Sequence, residues 1–193
     1  MDWERIFCDL GVIKKGHFLL ASGLHSDTYF EKFALFNNPP VAEKLLLEMA
    51  ERIKPLAPEI IVGPTTGGII IAFEIARILG IRALFAERGE NNKRILRRNQ
   101  TLPEGAPVVV VDDVLTTGGS LLSTVELVKN NGGKVVGAGV MINRGFKGDL
   151  AFPLISIYQT EVVVYTPEEC PLCKQGIPLE KPGTSKKRRE LCP

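Results

Sequence analysis

The chain has 193 residues, 45% of them hydrophobic, and its 24 basic and 22 acidic side chains give a formal charge of +2. This length suits one α/β domain with small additions. The near-neutral charge gives no argument for binding nucleic acid or a membrane, and no apolar run approaches the roughly 18 residues of a membrane span. The N-terminus lacks a signal-peptide pattern and the cysteines do not form a secreted framework, so we expect a cytoplasmic protein.

The N-terminal region predicts a short amphipathic helix over residues 2–10 and a small hairpin over residues 16–30. In the hairpin segment, two extended pieces flank a Ser/Gly/Asp turn. Because this hairpin precedes the main sheet, we expect it to cover the carboxyl ends of the strands as a lid, with Tyr29 and Phe30 beneath it. Packing in an ordinary core is the open alternative for these two rings.

The next segment predicts a helix that starts at Asn38-Pro39-Pro40, and then a strand over residues 60–62. The strand leads into the Thr/Gly loop of residues 63–68 and a helix from about 69 to 79. Backbone N–H groups at a helix start lack intrahelical partners and attract anions. The loop therefore predicts an anion site, with a plain βα turn as the alternative.

A further strand is predicted over residues 82–86, and a polar, basic, turn-rich segment follows from Glu87 to Gln100. A charge run of this kind is usually a solvated surface. Its place between two strands of the sheet, beside the phosphate loops, also suits a flap that closes over a polyanion. We expect the flap.

The stretch from Val108 to Ser120 carries the strongest signal. Four valines at 108–111 predict a strand buried on both faces, and Asp112 and Asp113 follow at the point where we expect the chain to enter solvent. A Thr/Gly loop then leads into an amphipathic helix, where amides and the helix dipole favour a sugar phosphate. The two carboxylates suit ribose hydroxyls or a Mg²⁺ that bridges to pyrophosphate. An ordinary β-turn-α corner is the alternative.

Residues 134–142 predict another buried strand, which ends at Asn143-Arg144-Gly145. An arginine at such a strand end suits a bidentate pair with a carboxylate, and a surface arginine without a ligand is the alternative. Residues 153–164 predict one or two edge strands.

The C-terminal tail contains Cys170 and Cys173 in CxxC spacing. A lone CxxC supplies two of the four ligands that structural zinc requires. Cys8 and Cys192 complete a site only if the fold brings them close, so we expect reduced, structural cysteines and assign no metal-ligating residue.

Strand–helix alternation from about 59 to 142 predicts an α/β fold with a mostly parallel sheet flanked by helices. We expect a single domain over residues 1–193, with its core at about 40–145. The N-terminal hairpin and C-terminal strands (about 1–35 and 150–170) form a small hood, and residues 171–193 are predicted to be a flexible tail.

The segment at 112–120 resembles the phosphoribosyl-pyrophosphate (PRPP) signature of the type I phosphoribosyltransferases, and it has neither a Walker A nor a GxGxxG pattern. Over about residues 10–165 the chain resembles the orotate phosphoribosyltransferases. The Ser22-Gly23 and Tyr29 spacing resembles the hood segment that helps to form their pyrimidine pocket, although Ala21 stands where bacterial members often have lysine.

The resemblance also implies a homodimer whose basic loop reaches into the neighbouring subunit's active site. Arg88 matches the first arginine of that loop and Lys93 one of its lysines, whereas Gly89 replaces a lysine and Arg94 stands near the place of a histidine. The implied catalytic residues are Lys93, Asp112 and Asp113. The implied PRPP-binding residues are Arg88, Lys93, Arg94, Asp112, Asp113, Val114, Leu115, Thr116, Thr117, Gly118, Gly119 and Ser120. The implied pyrophosphate loop is Thr65, Thr66 and Gly67, and the implied orotate-binding residues are Tyr29, Phe30, Thr116 and Arg144.

The activity implied is transfer of the phosphoribosyl group of PRPP to orotate in pyrimidine biosynthesis, with Mg²⁺ bound mainly through PRPP. Two alternatives stay open. One is a purine or xanthine phosphoribosyltransferase, and the other is a regulator that binds PRPP without catalysis. Such regulators usually add a nucleic-acid-binding element, and neither a helix-turn-helix segment nor a strong basic excess is present here.

Overall fold

The computed structural model describes residues 1–20, 22–90, 93–182 and the backbone of 189–190. Its α-helices are α1 (Trp3–Asp9), α2 (Lys32–Phe36), α3 (Pro39–Ile53), α4 (Gly67–Leu79), α5 (Gly119–Asn130) and α6 (Pro171–Lys174). Its strands are β1 (Ile13–Leu19), β2 (His25–Phe30), β3 (Ile60–Pro64), β4 (Arg82–Arg88), β5 (Arg94–Ile95), β6 (Pro107–Leu115), β7 (Lys134–Asn143), β8 (Leu154–Gln159), β9 (Val164–Tyr165), β10 (Leu179–Glu180) and β11 (Arg189–Glu190). The chain divides into two compact units, a smaller one of residues 1–35 and 161–193 and a larger one of residues 36–160. Among the helices described, none combines the length and apolar character needed to cross a bilayer.

The larger unit is built on a six-stranded sheet with the order β5-β4-β3-β6-β7-β8. Strands β4, β3, β6, β7 and β8 are parallel, and only the short edge strand β5 is antiparallel to its neighbour. The predicted mostly parallel sheet is confirmed. All residues of β3 are buried, as expected for a strand that is covered on both faces.

Helices cover both faces of this sheet. Successive side chains of a strand point to opposite sides, so a strand of consecutive apolar residues has two apolar faces to bury. Val108 and Val110 belong to a buried cluster with Leu121 and Val125 of α5. On the other face, a Cβ built on Gly139 of β7 would come within 2.6 Å of Cε of Met49 in α3. The sequence pattern had predicted this two-sided arrangement.

The parallel strands bring three loops to one edge of the larger sheet. The chain leaves β3 after Pro64, β6 after Leu115 and β7 after Asn143. Since neighbouring parallel strands end at the same edge, the segments that follow them are neighbours, as in open α/β sheets that bind ligands there. The candidate site lies at this edge.

The smaller unit contains a five-stranded sheet with the order β11-β10-β1-β2-β9. Strands β1 and β2 form the predicted antiparallel hairpin, and β10 pairs in parallel with β1. Phe30 is 6% exposed and Phe18 and Tyr29 stack with ring centroids 5.7 Å apart, so these side chains pack within the unit's own core. Burial lowers the pKa of His25, the charge of His17 acts in the same direction, and Glu168 opposes both.

Two boundaries differ from those expected from the sequence. Residues 154–159, which we assigned to the hood, form β8 and pair with β7 in the larger sheet. Within the tail that was expected to be flexible, residues 171–180 contribute α6 and β10. The rest of that tail, including Cys192, lies largely outside the described residues, as does Ala21.

Candidate functional site

The loop after β3 starts helix α4. The peptide bond between Thr65 and Thr66 is cis, and the N–H of Thr65 donates a 3.0 Å hydrogen bond to the carbonyl of Ala86 in β4. Thr66 is exposed, Gly67 opens the helix, and its N-cap residue Thr66 makes no side-chain capping hydrogen bond within the described chain. The α4 N-terminus is therefore a helix start of the kind that attracts anions, without a competing side-chain cap.

The loop after β6 starts α5 with a glycine that the backbone requires. Gly118 has φ of +84°, and a Cβ added there would lie 2.7 Å from Cε2 of Phe146. At Gly119, by contrast, an added Cβ would meet no described atom within 4 Å. Thr116 and Thr117 are exposed. The start of α5 thus has open space beside Gly119 and two exposed threonines just before it in the chain.

The acidic pair is buried, and our expectation that it faces solvent is wrong. Asp112 is 6% and Asp113 4% exposed, because β6 continues beyond both residues and pairs with β7 as far as Leu115. Each Oδ1 accepts a backbone hydrogen bond, Asp112 from the N–H of Asp113 (2.9 Å) and Asp113 from the N–H of Val114 (2.7 Å). These bonds offset part of the cost of burying the carboxylates.

Asp113 also connects the two loops. Its Oδ2 lies so close to Gly67 that a Cβ at position 67 would collide with the carboxylate. The glycine at the start of α4 is therefore needed for the close approach of Asp113 to the first loop.

Arg94 also contacts both loops. Its Nη1 donates a 3.0 Å hydrogen bond to Oγ1 of Thr65, and its Nη2 donates a 2.8 Å bond to Oγ of Ser120. Burial lowers the pKa of the Arg94 guanidinium, Asp112 opposes this effect, and Arg88 adds to it. An arginine stays protonated in any such setting. A cation therefore lies between the two predicted anion-binding loops.

The basic segment predicted to be a flap is a hairpin in its described part. Arg88 of β4 is paired with Arg94 of β5, and the N–H of Gly89 donates a 2.8 Å hydrogen bond to the carbonyl of Lys93. Arg88 and Lys93 are both exposed. Residues 91 and 92 lie outside the described part, and closure of the segment over a ligand stays a prediction.

Arg144 follows β7 at the same edge. Its N–H donates a 2.8 Å hydrogen bond to the carbonyl of Leu115, the residue before Thr116. The turn is held by Asn143, whose side-chain oxygen accepts a 2.9 Å bond from the N–H of Phe146. Sequence reasoning missed Asn143 and Phe146. An Asn before Arg-Gly is a signal for a turn in which the Asn side chain accepts from the backbone.

Among the other predicted PRPP-binding residues, Leu115 contributes its side chain to the hydrophobic core and Val114 is half-buried. Only their backbones are suited to bind a ligand. Tyr29 and Phe30 belong to the smaller unit.

Taken together, the described part of the larger unit unites two helix starts without side-chain caps, a bridging guanidinium and two buried carboxylates. Amides and a guanidinium attract phosphate oxygens, whereas carboxylates accept from hydroxyls or approach a developing positive charge. The arrangement suits a sugar that carries phosphate groups at two separate positions.

Comparison with known proteins gives a consistent result. A family described as "Phosphoribosyl transferase domain" matches residues 34–151. An orotate phosphoribosyltransferase of Caldanaerobacter subterraneus subsp. tengcongensis is 49% identical over 183 residues, which cover 94% of this chain and 96% of the relative. The orotate phosphoribosyltransferase of Thermotoga maritima is 45% identical over 94% of this chain and 97% of its own length.

Solved structures agree with this comparison. The crystal structure of orotate phosphoribosyltransferase from Aeropyrum pernix matches with a TM-score of 0.68 and 28% identity, over 80% of this chain and 92% of that one. An adenine phosphoribosyltransferase from Thermoanaerobacter pseudethanolicus has a TM-score of 0.62 at 19% identity, over 68% and 88% of the two chains, and this likeness shows the fold alone.

Proposed function

The chain belongs to the phosphoribosyltransferase family and within it to the orotate phosphoribosyltransferases, and from this premise we propose which of its residues carry the reaction. The enzyme transfers the phosphoribosyl group of PRPP to orotate in pyrimidine biosynthesis, giving orotidine 5′-monophosphate and pyrophosphate. The observation that carries the residue assignment is the bridge that Arg94 makes between Thr65 and Ser120, since it brings the two anion-binding loops to one cation.

The loop of residues 116–120 binds the 5-phosphate of PRPP. The open space above Gly119 and the exposed hydroxyls of Thr116 and Thr117 support this assignment. The N-terminal amides of α5 add a favourable dipole for a dianion.

The loop of Thr65, Thr66 and Gly67 binds the pyrophosphate group together with Arg94, Arg88 and Lys93. Arg94 then exchanges its contacts with two neutral hydroxyls for contacts with phosphate oxygens, because hydrogen bonds between ionised partners are stronger. Arg88 and Lys93 are exposed on the adjacent hairpin, and their charges suit them to contact the pyrophosphate group as well.

Asp112 and Asp113 hold the ribose hydroxyls and stabilise the positive charge that grows on the ring as pyrophosphate leaves C1. Each carboxylate has several acceptor sites, so it can keep its backbone hydrogen bond at Oδ1 while it serves the ligand. Burial strengthens the effect of their charge, because the local dielectric is low. Orotate attacks C1 through a ring nitrogen that has released its proton to solvent, so no side chain has to accept it.

The donor set also fits a Mg²⁺ that arrives with PRPP. Mg²⁺ takes oxygen ligands and keeps several waters, and it is usually held by one or two carboxylates plus substrate phosphates. Asp112 and Asp113 offer such carboxylates, and PRPP would supply the remaining oxygen ligands through its phosphates. When bound, the ion neutralises charge on the pyrophosphate.

Arg144 and Thr116 orient orotate. The hydrogen bond from the Arg144 N–H to Leu115 holds the arginine beside the phosphate loop, where its guanidinium can pair with the orotate carboxylate. The contribution of Tyr29 and Phe30 to the pyrimidine pocket stays a prediction, as does the cytoplasmic location.

We further propose that the protein is a homodimer in which the basic hairpin is shared between subunits. The larger unit carries an apolar groove of about 680 Å³ between α3, α4 and β4, beside which Phe73 is 64% exposed. Apolar exposure of this kind is typical of an interface. Sedimentation of the wild type and of Phe73→Asp tests this: a dimer that dissociates in the variant supports it, and a monomeric wild type contradicts it.

The reaction is tested by orotate-dependent loss of PRPP and release of pyrophosphate, with and without Mg²⁺. We expect turnover with orotate and Mg²⁺ only. Turnover with hypoxanthine or xanthine but not orotate would identify a different base specificity. Binding of PRPP without pyrophosphate release from any base would identify a regulator.

A further inference from the structure

A group of four side chains in the smaller unit has no part in the reaction proposed above. The potential ligand atoms of His17, His25, Cys170 and Cys173 all lie within 4.8 Å of one another. His17 is 1%, His25 3% and Cys170 0% exposed. In the described part of the chain, Cys170 and Cys173 are reduced thiols rather than a disulfide. Two imidazoles and two thiols therefore converge in a largely buried space.

Four distances within this cluster are close to the edges of a metal tetrahedron. Nε2 of His17 lies 3.4 Å from Sγ of Cys170 and 3.7 Å from Sγ of Cys173. Nδ1 of His25 lies 3.3 Å from Sγ of Cys173 and 3.0 Å from Nε2 of His17. Tetrahedral zinc with bonds of about 2.0 Å to nitrogen and 2.3 Å to sulfur has edges of roughly 3.3–3.8 Å. The three nitrogen–sulfur distances lie in this range, and the distance between the two ring nitrogens is a few tenths of an ångström shorter.

The hydrogen bond behind His17 orients its ring for ligation. Nδ1 of His17 lies 2.8 Å from the carbonyl oxygen of Ile177. Because a carbonyl oxygen only accepts, Nδ1 carries the hydrogen, and in the neutral ring Nε2 then presents its lone pair to the cluster. An outer hydrogen bond of this type usually fixes the tautomer of a histidine that binds a metal.

Ordinary hydrogen bonds explain this cluster poorly. Nε2 of His17 has three potential partners between 3.0 and 3.7 Å, and a single ring nitrogen cannot form a good hydrogen bond with all of them. A central cation satisfies all four ligand atoms at once.

The backbone supplies the ligands from three places in the fold. His17 lies on β1 and His25 on the paired strand β2. Cys170 precedes the short helix α6 and Cys173 lies within it. After α6, Gly176 has φ of +67° and the chain turns back to form β10 beside β1. Residues that are 153 positions apart in the sequence are thus joined at one point.

We propose that His17, His25, Cys170 and Cys173 bind one structural Zn²⁺, which joins the C-terminal CxxC turn to the N-terminal hairpin. Two nitrogen and two sulfur ligands in tetrahedral geometry are typical of zinc. Four protein ligands fill the coordination shell, so the ion has no open position for a substrate or a reactive water. On binding, the two thiols release their protons to solvent and ligate as thiolates.

This site stabilises the smaller unit. The described contacts that join this C-terminal segment to the hairpin include the pairing of β10 with β1 and the hydrogen bond from His17 to the carbonyl of Ile177. With the ion, the long intervening chain is closed into a loop, and the free energy of metal binding adds to that of folding.

The first test is metal analysis of the wild-type protein, purified with reductant and without chelator. We expect about one zinc per chain, and the corresponding Co²⁺ protein should show the intense visible absorption of tetrahedral cobalt with thiolate ligands. A wild-type protein that holds no metal and takes up neither Zn²⁺ nor Co²⁺ during titration overturns the proposal.

Substitutions then identify the ligands. Cys173→Ser and His25→Asn should each lower zinc affinity by at least tenfold, and they should alter the cobalt spectrum. Cys8→Ser is the matched control, because Cys8 is exposed and lies outside the cluster. Metal content and spectra that stay unchanged in both ligand variants contradict the assignment.

A third measurement needs no variant and therefore does not depend on a substituted chain folding. In the wild type, zinc should protect Cys170 and Cys173 from alkylation, and a chelator should abolish this protection while Cys8 reacts in both states. Peptide mapping by mass spectrometry measures the extent of alkylation at each cysteine. Equal reactivity of Cys170 and Cys173 with and without chelator counts against the site, and so does a Cys170–Cys173 disulfide in the reduced preparation.

Discussion

Nη2 of Arg94 donates a 2.8 Å hydrogen bond to Oγ of Ser120, at the start of the helix proposed to bind the 5-phosphate. The same guanidinium reaches Thr65 in the other anion-binding loop. A side chain of the basic hairpin thus lies between the two loops. In the binding mode proposed above, Arg94 exchanges these hydroxyl partners for phosphate oxygens of PRPP.

Arg94→Ala should lower kcat/KM for PRPP by about tenfold to a hundredfold, since a hydrogen bond to a charged group contributes roughly 1.5–3 kcal/mol. Arg94→Lys should recover little, because an ammonium cannot reproduce the forked geometry. Arg82→Ala is the matched control at the opposite end of β4, where the exposed guanidinium contacts the carbonyl of Thr101. Steady-state kinetics with varied PRPP measure both. An Arg94→Ala enzyme with wild-type kcat/KM would remove Arg94 from the site.

Asp113→Asn should preserve the acceptor for the Val114 N–H and remove the negative charge. We expect kcat to fall about a hundredfold, similar to the loss of one preorganised electrostatic group at an active site. Thermal unfolding should show that the variant is still folded. Asp149→Asn, which neutralises an exposed carboxylate of the same unit, should be fully active. Equal activity of the two variants would argue that Asp113 is only structural.

Substitutions at two neighbouring glycines should distinguish an effect on stability from an effect on ligand binding. Gly118→Ala should lower the free energy of unfolding by at least about 1–2 kcal/mol, because φ is +84° and the added Cβ meets Phe146. Gly119→Ala should leave stability unchanged, since the space there is open, and should raise KM for PRPP by narrowing the phosphate site. Chemical denaturation and PRPP kinetics on both variants provide the comparison. A Gly119→Ala enzyme with unchanged KM would show that the phosphate binds elsewhere.

Arg144→Ala should weaken orotate binding by a hundredfold or more while PRPP binding survives. The expected loss is that of a bidentate pair between a guanidinium and a carboxylate. Calorimetric titration with each substrate separates the two effects, and Arg144→Lys reports how much of the effect is charge alone. An equal loss for both substrates would indicate that the variant disturbs the loop through the turn at Asn143 instead.

Local sequence patterns were sufficient to predict the main strands, helices and Thr/Gly loops of the larger unit. The valine run at 108–111 and the apolar face of α3 specify a buried strand and an amphipathic helix within a few neighbouring residues, and both elements are present. The two Thr/Gly loops lie where the sequence predicted them, because each is bounded by the strand and helix that flank it. Local sequence also predicted the hairpin of β1 and β2.

Long-range contacts decided the rest. The length of β6, and with it the burial of Asp112 and Asp113, depends on pairing with β7, which no local pattern reports. The Arg94 bridge joins residues from three separate segments. The sequence by itself determined the chemical groups of the phosphate site and a CxxC turn, whereas tertiary structure alone brought His17 and His25 to the cysteines, because only folding brings together ligands so distant along the chain.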